Sequence, residues 1–555
     1  MSSPSGPAII GRAAGAPSAV ADGKRAGELR DYNPGPLWMR ALPPVLTMLV
    51  MLAGITVPSY WRDEAATLAA VQRPFGDMIR MLGNVDAVHG AYYFLAWPIV
   101  HLFGTGEVAL RLPSAIAMVI GAGFVAALGR RLVSPQAGLA AGVLFALVPD
   151  ITLYGTDARS YAMVTAMAAV ASYVLVRALG AAHAHQRRWW AWYGVSVAVL
   201  GILNIFGLLL VAAHAVTMAL RMLRPTDGQS RKALAVRWTV SAGAALIVAS
   251  PLIVLGYLQK GQLSWLVAPG FNGAISVTKL IGPPIMTLAV VIAFVVGVGI
   301  TLWRARETNA PEWLTTLPGL TVPWLILPPA ILLIGSAVTP VYNFRYILFC
   351  VPAAALLGGA GMAALGRVGG VAALIVVAIL GLNSQIYFRT PGGHGDDIRQ
   401  ADKIIAAQAQ PGDMVFYPNA NAEDFGQAYN YGLIKLPNIQ LARQPIPSAT
   451  LGGTNVSAAV LHNRLAHASR LWIVQIDYST SVNSYLQGLH YHLLWTWRTS
   501  DLWLKLYVRK GSPAYLPAMR ARHELSTAAF VRGPAGRLVP GPAARPALSV
   551  PAASR

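Results

Sequence analysis

Between residues 41 and 395 the chain carries ten acidic side chains. Seven of them, Asp63, Glu64, Asp77, Asp86, Glu107, Asp150 and Asp157, fall in one stretch between Asp63 and Asp157. Asp63 and Glu64 are adjacent, follow an apolar run and stand beside Trp61 and Arg62. Asp157 lies in GTDARSYA, after a later apolar run. Asp77 and Glu107 read as solvated helix ends. Cations accompany the acids: Arg62, Arg159, Lys260, and Arg345 in TPVYNFRYILF. Acids and cations gathered at one face of a membrane suit transfer of a sugar from a polyprenyl phosphate. A carboxylate within hydrogen-bonding reach takes the proton of the acceptor hydroxyl. As the sugar–phosphate bond breaks, charge grows on the leaving phosphate, and Arg or Lys at headgroup depth stabilises it. Asp63, Glu64 and Asp157 are the candidate catalytic carboxylates. Arg345 is the first candidate for the phosphate, with Lys260 and Arg159 behind it. The alternative for each cation is an interfacial anchor.

Arg62, Asp86, His89, Tyr92, Tyr93, Tyr161 and Tyr346 complete the candidate substrate-binding set. His89 could hold a phosphate when protonated, hydrogen-bond a sugar, or cap an interfacial helix. Tyr92, Tyr93 and Trp61 either stack on a sugar or belong to the aromatic belt. No clear metal-ligand spacing accompanies the acids, and no metal site is expected. His394, Asp396 and Asp397 read as a helix start with acids in its first turn. The single cysteine, Cys350, excludes an internal disulfide and a cysteine-built metal cage, and its apolar surroundings make it core.

The elements that must hold these residues are membrane helices. Of 555 residues, 55% are hydrophobic and 12% charged, roughly half the charge of a soluble protein. The net charge of +21 would suggest nucleic acid in a soluble chain. Here many basic residues sit between apolar runs, as in cytoplasmic loops, and no nucleic-acid partner is expected. Residues 1–40, rich in Gly, Ala and Pro, read as a disordered cytoplasmic tail. The runs 41–58, 108–132, 137–153, 161–179, 189–203, 206–223, 236–257, 280–303, 317–338, 346–365 and 368–388 give about eleven transmembrane helices. The break between the fifth and sixth is placed near Asn204 and Gly207. With it, Arg130, Arg131, Arg187, Arg188, Arg221, Arg224, Arg231, Lys232, Arg304 and Arg306 are all expected to face the cytoplasm. Within the membrane module, residues 41–388, the long outer loop 59–107 carries the first acids and two short apolar pieces expected at the outer interface.

From Arg389 the sequence turns polar, with helix and strand signals in DDIRQADKIIAAQA, DMVFYP, RLWIVQID, LHYHLLWTW and LWLKLYV. Residues 389–511 are expected to form a small extracytoplasmic α/β domain, and 512–555 a disordered Ala/Pro/Arg-rich tail. Asn421, Glu423, Asp424 and the aromatics near Tyr429 could line an acceptor groove or belong to a structural cap.

WRDEAATL after the first span, then DAVHGAYYF, ALRLPSAIA, GRRLVSPQAGLAAGVLFALVP and GTDARSYAM resemble the ordered motifs of GT-C glycosyltransferases. The likeness is to the glycosyltransferase family 39, mannosyltransferase-like branch that includes protein O-mannosyltransferases and lipid A aminoarabinose transferases. It covers about residues 41–180 and extends weakly, through NFRYILFCVPA, to Leu365. The resemblance implies a GT-C-type polytopic helical fold. It also implies a first-loop base or metal-binding carboxylate at Asp63 with Glu64 beside it, a second outer-loop acid at Asp157, and a lipid-phosphate arginine at Arg345. Relatives commonly show a Lys or His with prolines before the aromatic pair, where this chain has His89-Gly90. Family members differ in needing a divalent ion, so the cofactor is unknown and a divalent cation stays open. The expected partners are a polyprenyl-phosphate sugar donor, such as a mannose or related hexose carrier, an extracytoplasmic glycan, lipid or protein acceptor, and the bilayer. The expected location is a bacterial plasma membrane, with the N-terminus cytoplasmic. The competing reading is a transporter or flippase of lipid-linked sugars. No acid occurs from Ala158 to Arg224 or from Trp313 to Gly395, which argues against proton coupling but not against an uncoupled flippase. A sensor or scaffold would leave the acid cluster unexplained.

Overall fold

The computed structural model describes residues 34–180, 183–223, 230–306, 311–419, 422–476, 480–528, 530–532 and 538–540. Most of the expected N-terminal tail, the end of the C-terminal tail, and Asn421 lie outside the described residues. The chain opens with helix α1 (Leu37–Leu52), followed by four helices of the expected outer loop and its exit: α2 (Arg62–Val71), α3 (Phe75–Leu82), α4 (Gly90–Phe103) and α5 (Glu107–Leu132). Then come α6 (Pro135–Leu147), α7 (Pro149–Gly155), α8 (Tyr161–Leu179), α9 (His183–Leu203), α10 (Leu209–Leu223) and α11 (Arg231–Leu258). The membrane module ends with α12 (Gly270–Val277), α13 (Pro284–Arg304), α14 (Trp313–Gly335), α15 (Val351–Ala364) and α16 (Gly366–Tyr387).

Each of the eleven expected apolar stretches contains a helix, although 53–58 is turn and 346–350 belongs to a 3-10 helix. By length and composition, eight described helices suffice to cross a membrane, or nine if α6 and α7, bent by 63°, count as one span. α1 is apolar but shorter. Local chemistry explains several boundaries. Ser134 Oγ accepts from Ala137 N at 3.1 Å and Pro135 occupies the first turn, so α6 starts there. Asn204 is extended and its Oδ1 accepts from Phe206 N at 2.9 Å, which ends α9 and begins a 3-10 turn over Ile205–Leu208. The break expected near Asn204 is therefore present. The outward faces of α11, α13 and α16 are apolar, with Ile247, Val254, Val295 and Ile379 all exposed. The helices instead meet through small residues. A Cβ on Gly361 of α15 would lie 2.3 Å from Phe294 Cα of α13, so these two backbones touch. Cys350 is a buried free thiol.

Helix α17 (Ile398–Gln408) opens the C-terminal domain, capped by Asp397, whose Oδ1 accepts from Gln400 N at 3.0 Å. Its four-stranded sheet has Arg470–Gln475 paired in parallel with Met414–Phe416 and antiparallel with Leu502–Arg509. That last strand pairs in turn with Tyr491–Thr499. Buried Leu471, Trp472, Ile473 and Val474 make the near-continuous apolar run that a strand covered on both faces requires. The expected disordered tail is corrected in part: Tyr515–Ala528 is helical and rests on the two antiparallel strands.

Candidate active site

Asp63 and Glu64 occupy the first turn of α2, where acids complement the helix dipole. Successive helical residues point about 100° apart, and the two acids meet different partners. Glu64 turns inward and is fully buried. Arg111 of α5 grips it with Nε–Oε1 at 2.7 Å and Nη2–Oε2 at 2.6 Å. The same guanidinium donates to the carbonyls of Ile55, Pro58 and Ser59, so it ties the end of the first span to the fifth helix. Burial alone would raise the Glu64 pKa, but the Arg111 charge and hydrogen bonds hold it at about 2. Ala158 N also donates to Glu64, at 3.2 Å, and His394 Nδ1 stands 3.8 Å away. This corrects the expectation for Glu64: a carboxylate so enclosed has no free lone pair facing solvent or substrate, and its work is positional.

Asp63 points sideways and forms an ion pair with Arg345, which lies in a 3-10 turn after Asn343. Both side chains keep a little exposure, 15% and 13%. Burial would raise the Asp63 pKa, yet the charges of Arg345, then Arg159, and of Arg62 hold it down. The Arg345 guanidinium is ringed by Trp265 at 5.5 Å, Tyr161 at 5.6 Å, Tyr346 at 5.7 Å and Trp61 at 6.0 Å. Tyr346 stacks on Phe206 at 4.6 Å. A narrow crevice lined by Tyr161, Asn204, Gly207, Arg345, Tyr346 and Phe349 leads from this ring in among the helices.

Asp157 sits in the turn between α7 and α8. Its Oδ1 accepts from Trp61 Nε1 at 3.0 Å, while its buried Oδ2 has no partner. Burial, then the nearby Glu64 and Asp63 carboxylates, push its pKa up to about 8, so it holds a proton at neutral pH. Asp86 has left-handed backbone (φ 63°), a conformation Asp tolerates better than most residues. Its Oδ2 is 3.2 Å from Arg159 and also bonds Tyr93, whose hydroxyl accepts from Arg159 at 2.8 Å. His89 is buried beside Tyr161, and burial and then Arg159 lower its pKa to about 4. This favours the neutral ring at neutral pH.

The fold thus gathers Asp63, Asp157, Arg345, Tyr161, Tyr346, Arg159, Asp86, Tyr93 and His89. Arg62 is drawn aside, with its backbone N–H and guanidinium bound to buried Asp396 at 3.0–3.1 Å. Two candidates are not brought in. Tyr92 packs between helices, donating to Leu110 O at 2.8 Å, and exposed Lys260 lies over the Tyr257 ring at 4.5 Å. Sequence reasoning missed Arg111, hidden in an apolar stretch, and the contacts made by His394 and Asp396. It also missed Trp265. Glu107 is no solvated end, since it binds Arg399 at 2.7 Å and Tyr429 at 3.0 Å.

Among the described residues no group of three or more His, Cys, Asp or Glu side chains is arranged to hold a metal ion. Asp63, Glu64 and Asp86 each carry a guanidinium. A larger cavity of about 430 Å³ lies in the C-terminal domain around Gln410–Met414 and Tyr431–Pro437. Its one carboxylate, Asp413, is locked to Arg470 and Trp472, so the site is assigned to the outer-loop cluster instead.

The helical module, with its acid-bearing 59–107 loop and its small C-terminal sheet domain, shares its fold with a solved structure of ArnT from Cupriavidus metallidurans. Residues 91–255 match the family model of dolichyl-phosphate-mannose-protein mannosyltransferase. Among solved structures, ArnT from Cupriavidus metallidurans in the apo state is similar, with a TM-score of 0.54 and 13% identity over 84% of this chain and 97% of that one. The same protein bound to undecaprenyl phosphate gives a TM-score of 0.51, with the same identity and coverage. The Archaeoglobus fulgidus oligosaccharyltransferase gives 0.46 and 11% identity over 80% of this chain and 70% of its own. No curated protein sequence matches the chain.

Proposed function

We propose that the protein is a membrane glycosyltransferase that moves a sugar, mannose or a related hexose, from a polyprenyl phosphate to an acceptor hydroxyl on the extracytoplasmic side. The observation that carries this reading is the Arg345 site. A guanidinium with an unpartnered, buried Nε stands at the mouth of an interhelical crevice, paired with a carboxylate and surrounded by aromatic rings. Tyr161 Oη, Arg159 Nε and Asp157 Oδ2 close by are likewise buried without partners, as expected of a site whose ligand supplies them. That a protein of the same fold is known bound to undecaprenyl phosphate supports a lipid phosphate as the ligand.

In this scheme the donor phosphate takes the place of Asp63 on Arg345. The released Asp63 carboxylate accepts the proton of the acceptor hydroxyl, whose oxygen forms the new bond to the anomeric carbon. The anomeric carbon–phosphate oxygen bond breaks, and the polyprenyl phosphate leaves with its charge held by Arg345 and Arg159. Protonated Asp157 donates from Oδ2 to the bound donor. The long helix α5 supports the sidedness. Glu107 lies at the site end, while Arg130 and Arg131 lie at the other end of 26 residues, about 39 Å away.

The test is transfer of radiolabelled sugar from polyprenyl-phosphate mannose by membranes containing the wild type, Asp63→Asn or Arg345→Ala. Incorporation should require Asp63, and Arg345→Ala should weaken donor affinity by about tenfold or more. Asp63→Asn with near wild-type incorporation would remove Asp63 from the mechanism. Facilitated movement of the lipid-linked sugar between leaflets, without incorporation, would establish the flippase.

A further inference from the structure

The cavity of about 430 Å³ in the C-terminal domain takes no part in the transfer scheme. It lies between the end of α17, the turn 410–414 and the segment 431–437. Buried carboxylates fix both of its walls. Asp402 of α17 accepts from Tyr431 N at 3.0 Å and Gly432 N at 2.9 Å, and from Leu433 N as well. A Cβ on Gly432 would stand 2.5 Å from Ala406 N, so this wall lies directly on α17. On the other side Asp413 accepts from Gln410 N at 3.0 Å, Arg470 Nε at 2.7 Å and Trp472 Nε1 at 2.8 Å. The cavity is thus preformed, and it is open to the outside: Gln410, Tyr431 and Lys435 line it and are exposed, Tyr431 by 41%. Among the described residues, the Gln410 amide, the Tyr431 hydroxyl and the Lys435 ammonium make no hydrogen bond to protein.

The volume is that of a small-ligand site. The charge of Asp413 is matched by Arg470, while Lys403 Nζ stands 5.8 Å from the Tyr431 ring, so the open charge, from Lys435 and Lys403, is positive. An aromatic plate, an amide and an ammonium together suit an acidic sugar. Its C–H face packs on Tyr431, its hydroxyls exchange hydrogen bonds with Gln410, and its carboxylate accepts from Lys435. A long apolar chain would strand these polar groups, and a cation would meet two ammoniums. The groove is also joined to the transfer cluster. The Tyr431 ring stacks on Tyr429 at 5.7 Å, Tyr429 lies 5.2 Å from Tyr60, and Tyr60 N donates to the Tyr429 hydroxyl at 2.9 Å. Tyr60 directly precedes Trp61, which bonds Asp157. We infer that this groove is a holding subsite for an acidic saccharide of the acceptor, with Tyr431 as its platform and Lys435 as its carboxylate ligand. The inference rests on the glycosyltransferase reading and deepens it, since it names the chemical class of the acceptor and gives the C-terminal domain a part in choosing it.

The experiment is calorimetric titration of the full-length protein, in phosphatidylcholine nanodiscs, with three soluble probes: tetragalacturonate, the neutral maltotetraose, and glycerol 3-phosphate as a lipid headgroup. Undecaprenyl phosphate is titrated separately. Tetragalacturonate should bind the wild type more tightly than either other probe, and its affinity should fall about fivefold or more in both Tyr431→Ala and Lys435→Gln. Undecaprenyl phosphate affinity should stay within about twofold in the same variants. Both side chains are exposed, and a melting curve on each variant confirms the fold. The subsite is refuted by the absence of tetragalacturonate binding to the wild type or by binding that survives both substitutions. Equal or tighter binding of maltotetraose would overturn the acidic class, and tighter binding of glycerol 3-phosphate would assign the groove to a lipid headgroup instead. Failure of undecaprenyl phosphate to bind would overturn the donor reading at Arg345, so the two failures are distinct.

Discussion

Asp63 is neutralised by Arg345 at rest and is a weak base until something displaces it. Asp157 is the opposite case, an acid kept neutral by burial and by its acidic neighbours, with one oxygen on Trp61 and one free. The sign of its effect follows. Below about pH 8 it carries the proton it donates, and above that it becomes an anion beside two carboxylates. Transfer by the wild type should therefore fall as pH rises through about 8. Asp157→Asn keeps a donor at that position, so it should retain activity and lose this alkaline decline, whereas Asp157→Ala should lose both. Rates measured between about pH 6 and 9.5 check this, and a wild type with no decline would refute the neutral-acid role. At this scale the sequence was informative about residue type and poor about partnership. Asp63 and Arg345 were legible as charged residues at the ends of apolar runs, and the structure pairs them. The difference between Asp63 and its neighbour Glu64 was not legible, because it depends on Arg111, 47 residues away and inside an apparently continuous span.

At the scale of elements, the apolar runs marked the helices, and the length of 189–223 with Asn204 and Gly207 inside it marked the break between α9 and α10, which the placement of the arginines supported. The pattern could not show how closely the helices approach one another, because that is set by small residues from distant segments. Gly361 is such a case. Gly361→Val would drive atoms into the α13 backbone around Phe294, and overpacking of this kind costs about 1–3 kcal/mol or more. The variant should melt well below the wild type in detergent. Gly243→Ala, at a helical glycine with nothing within 4 Å, should leave the melting temperature equal or slightly raised. Equal melting of Gly361→Val and the wild type would show that α13 and α15 can separate freely. The segment leading into α17 was the least legible element. Asp396 read as an ordinary helix-start acid, but it faces Arg62 across the molecule, and only Asp397 caps the helix.

At the scale of the whole molecule, the C-terminal domain is fastened to the membrane module by a few strong contacts. Arg399 donates to the carbonyls of Thr56, Val57 and Pro58 and to Glu107, which also accepts from Tyr429. Arg399→Ala removes the cation from Glu107 and leaves it only the Tyr429 hydroxyl, so it should loosen the domain, expose the 389–399 segment to protease, and lower transfer with little effect on binding of the lipid phosphate. Unchanged protease sensitivity would show that the remaining contacts suffice. The existence of an α/β domain was legible from the change in composition at Arg389. Its attachment was not, since each anchoring pair joins residues about 300 positions apart.

Those separations also order events during synthesis. The Arg62–Asp396 contact closes over 334 residues, and at roughly 5–20 residues per second the ribosome needs roughly 15–70 s between making the two. Glu64 and Arg111, 47 residues apart, can pair early and hold the outer loop in shape while the remaining helices are inserted. Asp63 must wait for Arg345, and Arg62 longer still for Asp396. A nascent chain thus carries its acids long before it carries the groups that aim them, and chemistry becomes available only when nearly the entire membrane module has been translated.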